Sequence, residues 1–146
     1  MEEYIVPACG TTLEMVEQAM GILGIGVDIC DVSRMKSFSL ESRFTEHFFS
    51  DAEREYLRGK KAGLAQSMAG MYAAKEAFSK VLGSGVRGFE LKEAEVLHNP
   101  AGQPYYRISG KARKAMEKQG IVSLHLSISH DGGMAVAFAV GEGPLT

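Results

Sequence analysis

The stretch Met71-Tyr-Ala-Ala-Lys-Glu-Ala-Phe-Ser-Lys-Val-Leu-Gly-Ser-Gly85 decides how the rest of the chain is read. Ala73, Ala74, Lys75, Glu76 and Ala77 favour a helix, and Gly83 and Gly85 suit the left-handed residue on which a helix stops. Met68, Met71, Phe78 and Leu82, with Lys75 completing their register, fall on one stripe at i, i+3, i+4 spacing, which predicts a core-facing side. Tyr72, Glu76 and Lys80 fall four apart on a neighbouring stripe. A carboxylate and an ammonium therefore sit one turn apart beside the buried face, a weak surface pair if nothing else meets them.

Upstream, Leu64 begins this helix, Lys60 and Lys61 lie in the connection before it, and Gly59 ends the preceding helix. That helix opens on Ser50-Asp-Ala-Glu53, a capping box, and runs through Tyr56 and Leu57. A further helical region, capped by Asp31 or Ser33, carries Arg34, Lys36 and Arg43, with Phe44 and Phe48 as apolar anchors. Ahead of it Ile22-Leu-Gly-Ile-Gly-Val-Asp-Ile29 reads as a strand. Ile25, Val27 and Ile29 point one way; Gly24, Gly26 and Asp28 point the other. The bare backbone strip is explained either by a helix packed tightly against it, with Asp28 capping the next segment, or by close approach of a ligand.

Downstream the pattern turns to β structure. Residues 89–98 and 104–108 flank Asn99-Pro-Ala-Gly102, a hairpin. Ser109 is placed to cap a short helix bearing Lys111, Arg113, Lys114 and Lys118, closed by Gly120. Residues 121–130 and 134–140 flank Asp131-Gly-Gly133, the clearest hairpin signal. Leu124, Leu126 and Ile128 share one face of the first arm and His125, Ser127 and Ser129 the other; Val136, Phe138 and Val140 alternate with alanines in the second. This order predicts an α+β domain over residues 22–146, with an antiparallel sheet and one long central helix. Residues 1–21 form an amino-terminal extension in which Thr11-Thr-Leu-Glu14 and the repeat Leu13, Val16, Met20 predict a short amphipathic helix.

Composition narrows the function classes. A chain of 146 residues, 45% hydrophobic, is long enough for one buried core. No apolar run has the length of a membrane span and no leader precedes a cleavage site, so a soluble cytoplasmic protein without a membrane role is expected. Cys9 and Cys30 lack metal-ligand spacing and fit reduced thiols, with one disulfide left open. A net charge of -2 argues against a nucleic-acid surface, so any acidic partner must meet a local basic patch. His125 and His130, five apart on a strand, face opposite ways and cannot jointly clasp a metal. No phosphate loop, complete dinucleotide fingerprint or serine elbow occurs. What survives is the carboxylate pair Asp28 and Glu76, hard oxygen ligands suited to magnesium and substrate phosphates. Lys75, Lys80 and the glycine-rich cap Gly83-Ser84-Gly85 would add positive charge and backbone donors.

Three segments also carry a family resemblance. Gly24-Ile-Gly-Val-Asp28, Ala73-Ala-Lys-Glu-Ala-Phe-Ser-Lys80 with Gly83-Ser-Gly85, and His125-Leu-Ser-Ile-Ser-His130 resemble, in order and spacing, the holo-acyl-carrier-protein synthases, which are 4'-phosphopantetheinyl transferases of bacterial fatty-acid synthesis. The resemblance spans about residues 23–140. It implies transfer of phosphopantetheine from coenzyme A to a serine of apo-acyl carrier protein, with release of adenosine 3',5'-bisphosphate. It further implies Asp28 and Glu76 as ligands of Mg2+ at the pyrophosphate and Lys80 assisting at the phosphates, with Lys75 a weaker candidate. Glu76 would be the base, directly or through a metal-bound water, and His125 would lie at the nucleotide side. Arg34 and Arg43 align with positions that meet the carrier's acidic helix, and relatives of this length imply a homotrimer with sites completed by a neighbour. Where the family often has an arginine this chain has Met71, which puts a phosphate contact from that position in question, and the extension before Gly24 exceeds the usual start. The competing classes are a non-catalytic module gripping an acidic helix, and another magnesium-dependent enzyme that cleaves a pyrophosphate.

Overall fold

A computed structural model describes residues 19–83 and 87–145. The short helix expected around Thr11–Glu14, together with Cys9, Ser84 and Gly85, lies outside the described residues. Strand β1 (Met20–Asp31) starts two residues before the expected domain boundary and runs through the glycine strip to Asp31. Asp31 then caps a single 3-10 turn (Val32–Met35) through its side chain and the amide of Ser33. The helical region expected beyond Asp28 is therefore split into this turn and a separate short helix α1 (Arg43–Phe48), capped by Ser42. Helix α2 (Asp51–Arg58) begins on the expected capping box: Ser50 and Glu53 each bond the other's backbone amide. Helix α3 (Leu64–Leu82) spans 19 residues and ends on Gly83, whose φ of 79° is the left-handed conformation that favours glycine.

Strands β2 (Ala94–His98) and β3 (Pro104–Ile108) form a two-stranded antiparallel sheet. Its turn is held by the Asn99 side chain, which accepts from the amides of Ala101 and Gln103. Helix α4 (Gly110–Lys118) follows. Ser109 makes no side-chain cap; Glu93, from the segment before β2, accepts from the Ala112 amide instead. Strands β4 (Ser123–Asp131) and β5 (Met134–Pro144) meet at the two-glycine turn, with φ of 57° at Gly132 and 79° at Gly133. Among the described residues they complete a three-stranded antiparallel sheet in the order β1-β5-β4, so the expected sheet is two sheets.

Helix α3 lies between them. Its stripe of Met68, Met71, Lys75, Phe78 and Leu82 is buried as expected. On the side of the three-stranded sheet, the facing residues are small: Gly24, Gly26, Gly141 and the fully buried Ala135, Ala137 and Ala139. A Cβ on Gly26 would stand 2.0 Å from the Ala77 carbonyl oxygen, and one on Gly24 2.3 Å from that of Val81. The strip is thus explained by helix packing. The register pairs Ile25 with Val140, Val27 with Phe138 and Ile29 with Val136, so these side chains share the outer face. There Ile25, Val27, Ile29 and Phe138 stay about half exposed, an apolar face uncovered within one chain. No helix among the described residues is long and apolar enough to cross a membrane.

Candidate active site

The glycine strip sets where the functional groups stand. Because β1 touches α3 at Gly24–Val81 and Gly26–Ala77, the two elements run in opposite directions, and Asp28 comes level with the turn of α3 before Ala77. Lys80 also leans on the strip, its Cβ 3.0 Å from where a Gly26 side chain would begin. Its ammonium donates to the Val27 carbonyl at 2.8 Å and lies 3.3 Å from Asp28 Oδ1. Glu76 is one turn earlier than Lys80 on the same stripe of α3 and is partly buried. Burial pushes the Tyr72 hydroxyl above its usual range, and the nearby Glu76 carboxylate adds to the rise.

The aromatic wall beside Glu76 is built from Tyr72, Phe44 and Phe48, with Phe38 stacked on Phe44 at 4.0 Å. Arg34 extends over it, its guanidinium carbon 5.9 Å from the Tyr72 ring centre. Arg43 opens α1 and edges a hollow of about 520 Å³ shared with Phe44, His47 and Lys92. Both arginines are exposed.

Two expected site residues lie elsewhere. Lys75 is fully buried and bonds Glu53, so it is unavailable to a phosphate; this corrects its assignment as a coenzyme-binding group. The reason is helix phase, since five residues along a helix rotate the side chain well away from Lys80. His125 pairs in register with Val140 and Ile25 and so lies on the outer face, bonded to Glu142 at 2.6 Å. Asp28 lies on the inner face, and one chain does not bring His125 to it. Ser123 and Glu142 both approach the same ring nitrogen of His125, which is not the two-nitrogen relay of a nucleophilic triad.

A concavity that the sequence did not signal sits on the β4 side of α3. It has a volume of about 210 Å³ and is lined by Tyr56, Gly70, Met71, His98 and His130, among others. His98 stacks flat on Tyr56 at 4.0 Å, and its buried Nδ1 has no partner. His130 bonds the Gln66 carbonyl. No contiguous motif announces this cavity because α2, α3, β4 and the Asn99 turn each contribute to it.

A family profile described as 4'-phosphopantetheinyl transferase superfamily matches residues 24–139. The chain belongs to that superfamily. It is 41% identical over 122 residues to a holo-[acyl-carrier-protein] synthase of Treponema denticola, covering 84% of this chain and 99% of the relative. It is 46% identical over 121 residues to one from Caldanaerobacter subterraneus subsp. tengcongensis, covering 80% and 94%. A solved holo-ACP synthase from Plasmodium yoelii superposes with a TM-score of 0.74 at 30% identity, over 86% of this chain and 98% of that one. The Helicobacter pylori holo-[acyl-carrier-protein] synthase solved in complex with coenzyme A superposes at 0.66 and 32% identity, over 80% and 98%. The chain is accordingly an enzyme of the holo-acyl-carrier-protein synthase type, and Asp28, Ala77 and Lys80 all fall inside the matched region.

Proposed function

We propose that this chain transfers 4'-phosphopantetheine from coenzyme A to a serine hydroxyl of apo-acyl carrier protein in the cytoplasm, releasing adenosine 3',5'-bisphosphate. The observation that carries this reading is the groove in which Lys80 reaches Asp28 one turn from Glu76, within a chain that spans 99% of a holo-[acyl-carrier-protein] synthase. Magnesium fits the donor set. Asp28 and Glu76 are hard oxygen donors, and among the described residues no cluster of three His, Cys, Asp or Glu gathers as a closed cage. Two carboxylates with room for water and phosphate oxygens are what that ion takes. When bound, it supplies charge neutralisation at the pyrophosphate.

The chain's own groups then divide the work. The serine oxygen bonds to the phosphorus carrying pantetheine, while the bond from that phosphorus to the bridging oxygen breaks and leaves with adenosine bisphosphate. Glu76 takes the serine proton, directly or through a water. Lys80, with a side chain about half exposed, turns its ammonium from the Val27 carbonyl toward the phosphate oxygens and offsets their charge. Arg34 and Arg43 receive the carrier's acidic helix, which sets the serine beside Tyr72 and Glu76. The run Gly83-Ser84-Gly85 would add backbone donors for the phosphates.

The uncovered apolar face supports a homotrimer. Ile25, Val27, Ile29 and Phe138 form one patch with Val136 and Val140, and burying such surface between copies offsets its exposure at roughly 25 cal/mol per Å². His125 and Glu142 sit on that same face, so assembly is the route by which His125 reaches a neighbour's site. The test is incubation with coenzyme A, magnesium and apo-acyl carrier protein, followed by mass spectrometry of the carrier. A phosphopantetheine adduct on serine is expected, with loss of turnover in Asp28→Asn and Glu76→Gln. No adduct with several carriers, despite tight coenzyme A binding, overturns the assignment.

A further inference from the structure

Lys75 and Glu53 make the most thoroughly satisfied polar contact among the described residues, and the proposed chemistry does not use them. The Lys75 ammonium donates to Glu53 Oε1 at 2.7 Å and to the carbonyls of Leu91 and Ala94 at 3.0 Å each. Three acceptors match the three protons of a charged ammonium. Glu53 in turn accepts from the Ser50 amide at 2.9 Å and, on its other oxygen, from the Val96 amide at 2.8 Å. Both side chains are 0% exposed. Burial pushes the lysine down and the glutamate up, and their mutual attraction opposes both changes. The carboxylate that caps α2 is therefore also the anchor of α3 and of the segment leading into β2.

A buried charge pair is a poor way to gain stability, because desolvation cancels much of the attraction and apolar replacements are often as stable. Directional bonds do something a methionine in the same place would not: they fix the rotation of the helix. Lys75 precedes Glu76, so any rotation of α3 about its axis swings both. With side chains reaching roughly 5–6 Å from the axis, a turn of about 10° moves a carboxylate by about 1 Å. Displacements of that size cost about a hundredfold in rate when reacting groups must be aligned.

We propose that Glu53 and Lys75 are positioning residues for the transfer reaction: their buried ion pair locks the rotation of α3 and so sets the direction of Glu76. This rests on the transferase reading above. Lys75 itself touches no substrate. The pair acts only through the direction of Glu76.

The experiment measures kcat, KM for the carrier and the thermal midpoint in wild type, Glu53→Gln, Lys75→Met and the double variant Glu53→Met/Lys75→Met. Rates are taken well below each midpoint. Lys75→Met alone leaves a buried carboxylate unpaired and lowers the midpoint. The double variant removes the unpaired charge but leaves the Ser50 and Val96 amides and the Leu91 and Ala94 carbonyls without their partners, so its midpoint is expected to recover only in part, while kcat remains down by about tenfold or more with KM for the carrier unchanged. A merely structural pair would give wild-type kcat at temperatures well below that midpoint. Wild-type kcat in the double variant overturns the proposal, as does a parallel loss in kcat and carrier affinity. If the double variant does not fold, Glu53→Gln decides, because it keeps the side-chain shape: reduced kcat at constant KM supports the proposal and unchanged kcat refutes it. Failure of wild type to modify any carrier would instead sink the transferase reading.

Discussion

Replacing Gly26 with alanine tests what holds the site together without touching a reacting group. The added Cβ would stand 2.0 Å from the Ala77 carbonyl oxygen, whereas carbon and oxygen settle at about 3.3 Å or more, so strand and helix must part by about 1.3 Å. Backbone is the obstacle, and no flexible side chain can swing away to absorb the clash. Overpacking of this kind costs about 1–3 kcal/mol, and the upper end applies here. The same displacement carries Asp28 away from Lys80, now 3.3 Å apart, and from Glu76. Turnover should therefore fall by about a hundredfold. Gly63→Ala is the control, since nothing lies within 4 Å of a Cβ there. The assay pairs mass-spectrometric holo-carrier formation with thermal unfolding. Gly26→Ala that keeps its midpoint and transfers within about twofold of wild type would show that the glycine strip does not set the spacing of the carboxylates.

Other perturbations address separate parts of the molecule. Lys80→Met should lower kcat more than tenfold with little change in KM for the carrier, as expected of a group that meets the phosphates in the transition state; steady-state kinetics reads both. Val27→Asp puts a charge in the uncovered apolar face and should give a monomer by sedimentation with unchanged far-ultraviolet dichroism and little activity; a trimer would disprove assembly through that face. Glu95 is pushed up by burial, yet the hydrogen bonds from Arg107 and Ser50, with the charge of Arg107, together hold its carboxyl below the usual 4.5. A depressed carboxylate stabilises the fold above its ordinary pKa and loses that contribution as pH falls through the folded value. Arg107→Ala should accordingly be less stable than wild type near neutral pH, and urea titrations should show the gap narrowing below pH 4.5.

Helix α3 and its stop at Gly83 were legible because local propensity and the tertiary stripe agree. The two-glycine turn between β4 and β5 was legible for the same reason, since backbone chemistry alone requires glycine there. Lys75 divides the outcome. Its place on the buried stripe follows from period, but its charge invited a role at a phosphate, and only the return of Glu53 across α2 shows where that charge is satisfied. Ser109 failed as a cap because Glu93 reaches the α4 terminus from a different element, a competition no local pattern displays. For β1, alternation separated the two faces correctly without saying which is covered. The glycine face lies inside because a helix backbone needs that space, and the larger Ile25, Val27 and Ile29 are left outside. His125 was placed by motif, whereas its face is set by register with Val140.

The same helix thus meets its surroundings in three phases, and each constrains a different coordinate. Contact of Ala77 and Val81 carbonyls with Gly26 and Gly24 fixes how deeply α3 sits on β1. Lys75, bound on the opposite side to Glu53 and two carbonyls, fixes rotation. Tyr106, whose hydroxyl donates to the Ala74 carbonyl, adds a further tie from the second sheet. Glu76 and Lys80 lie on the same helix as these anchors. Such an arrangement leaves the two groups partly exposed, while the backbone that carries them is held from both sides.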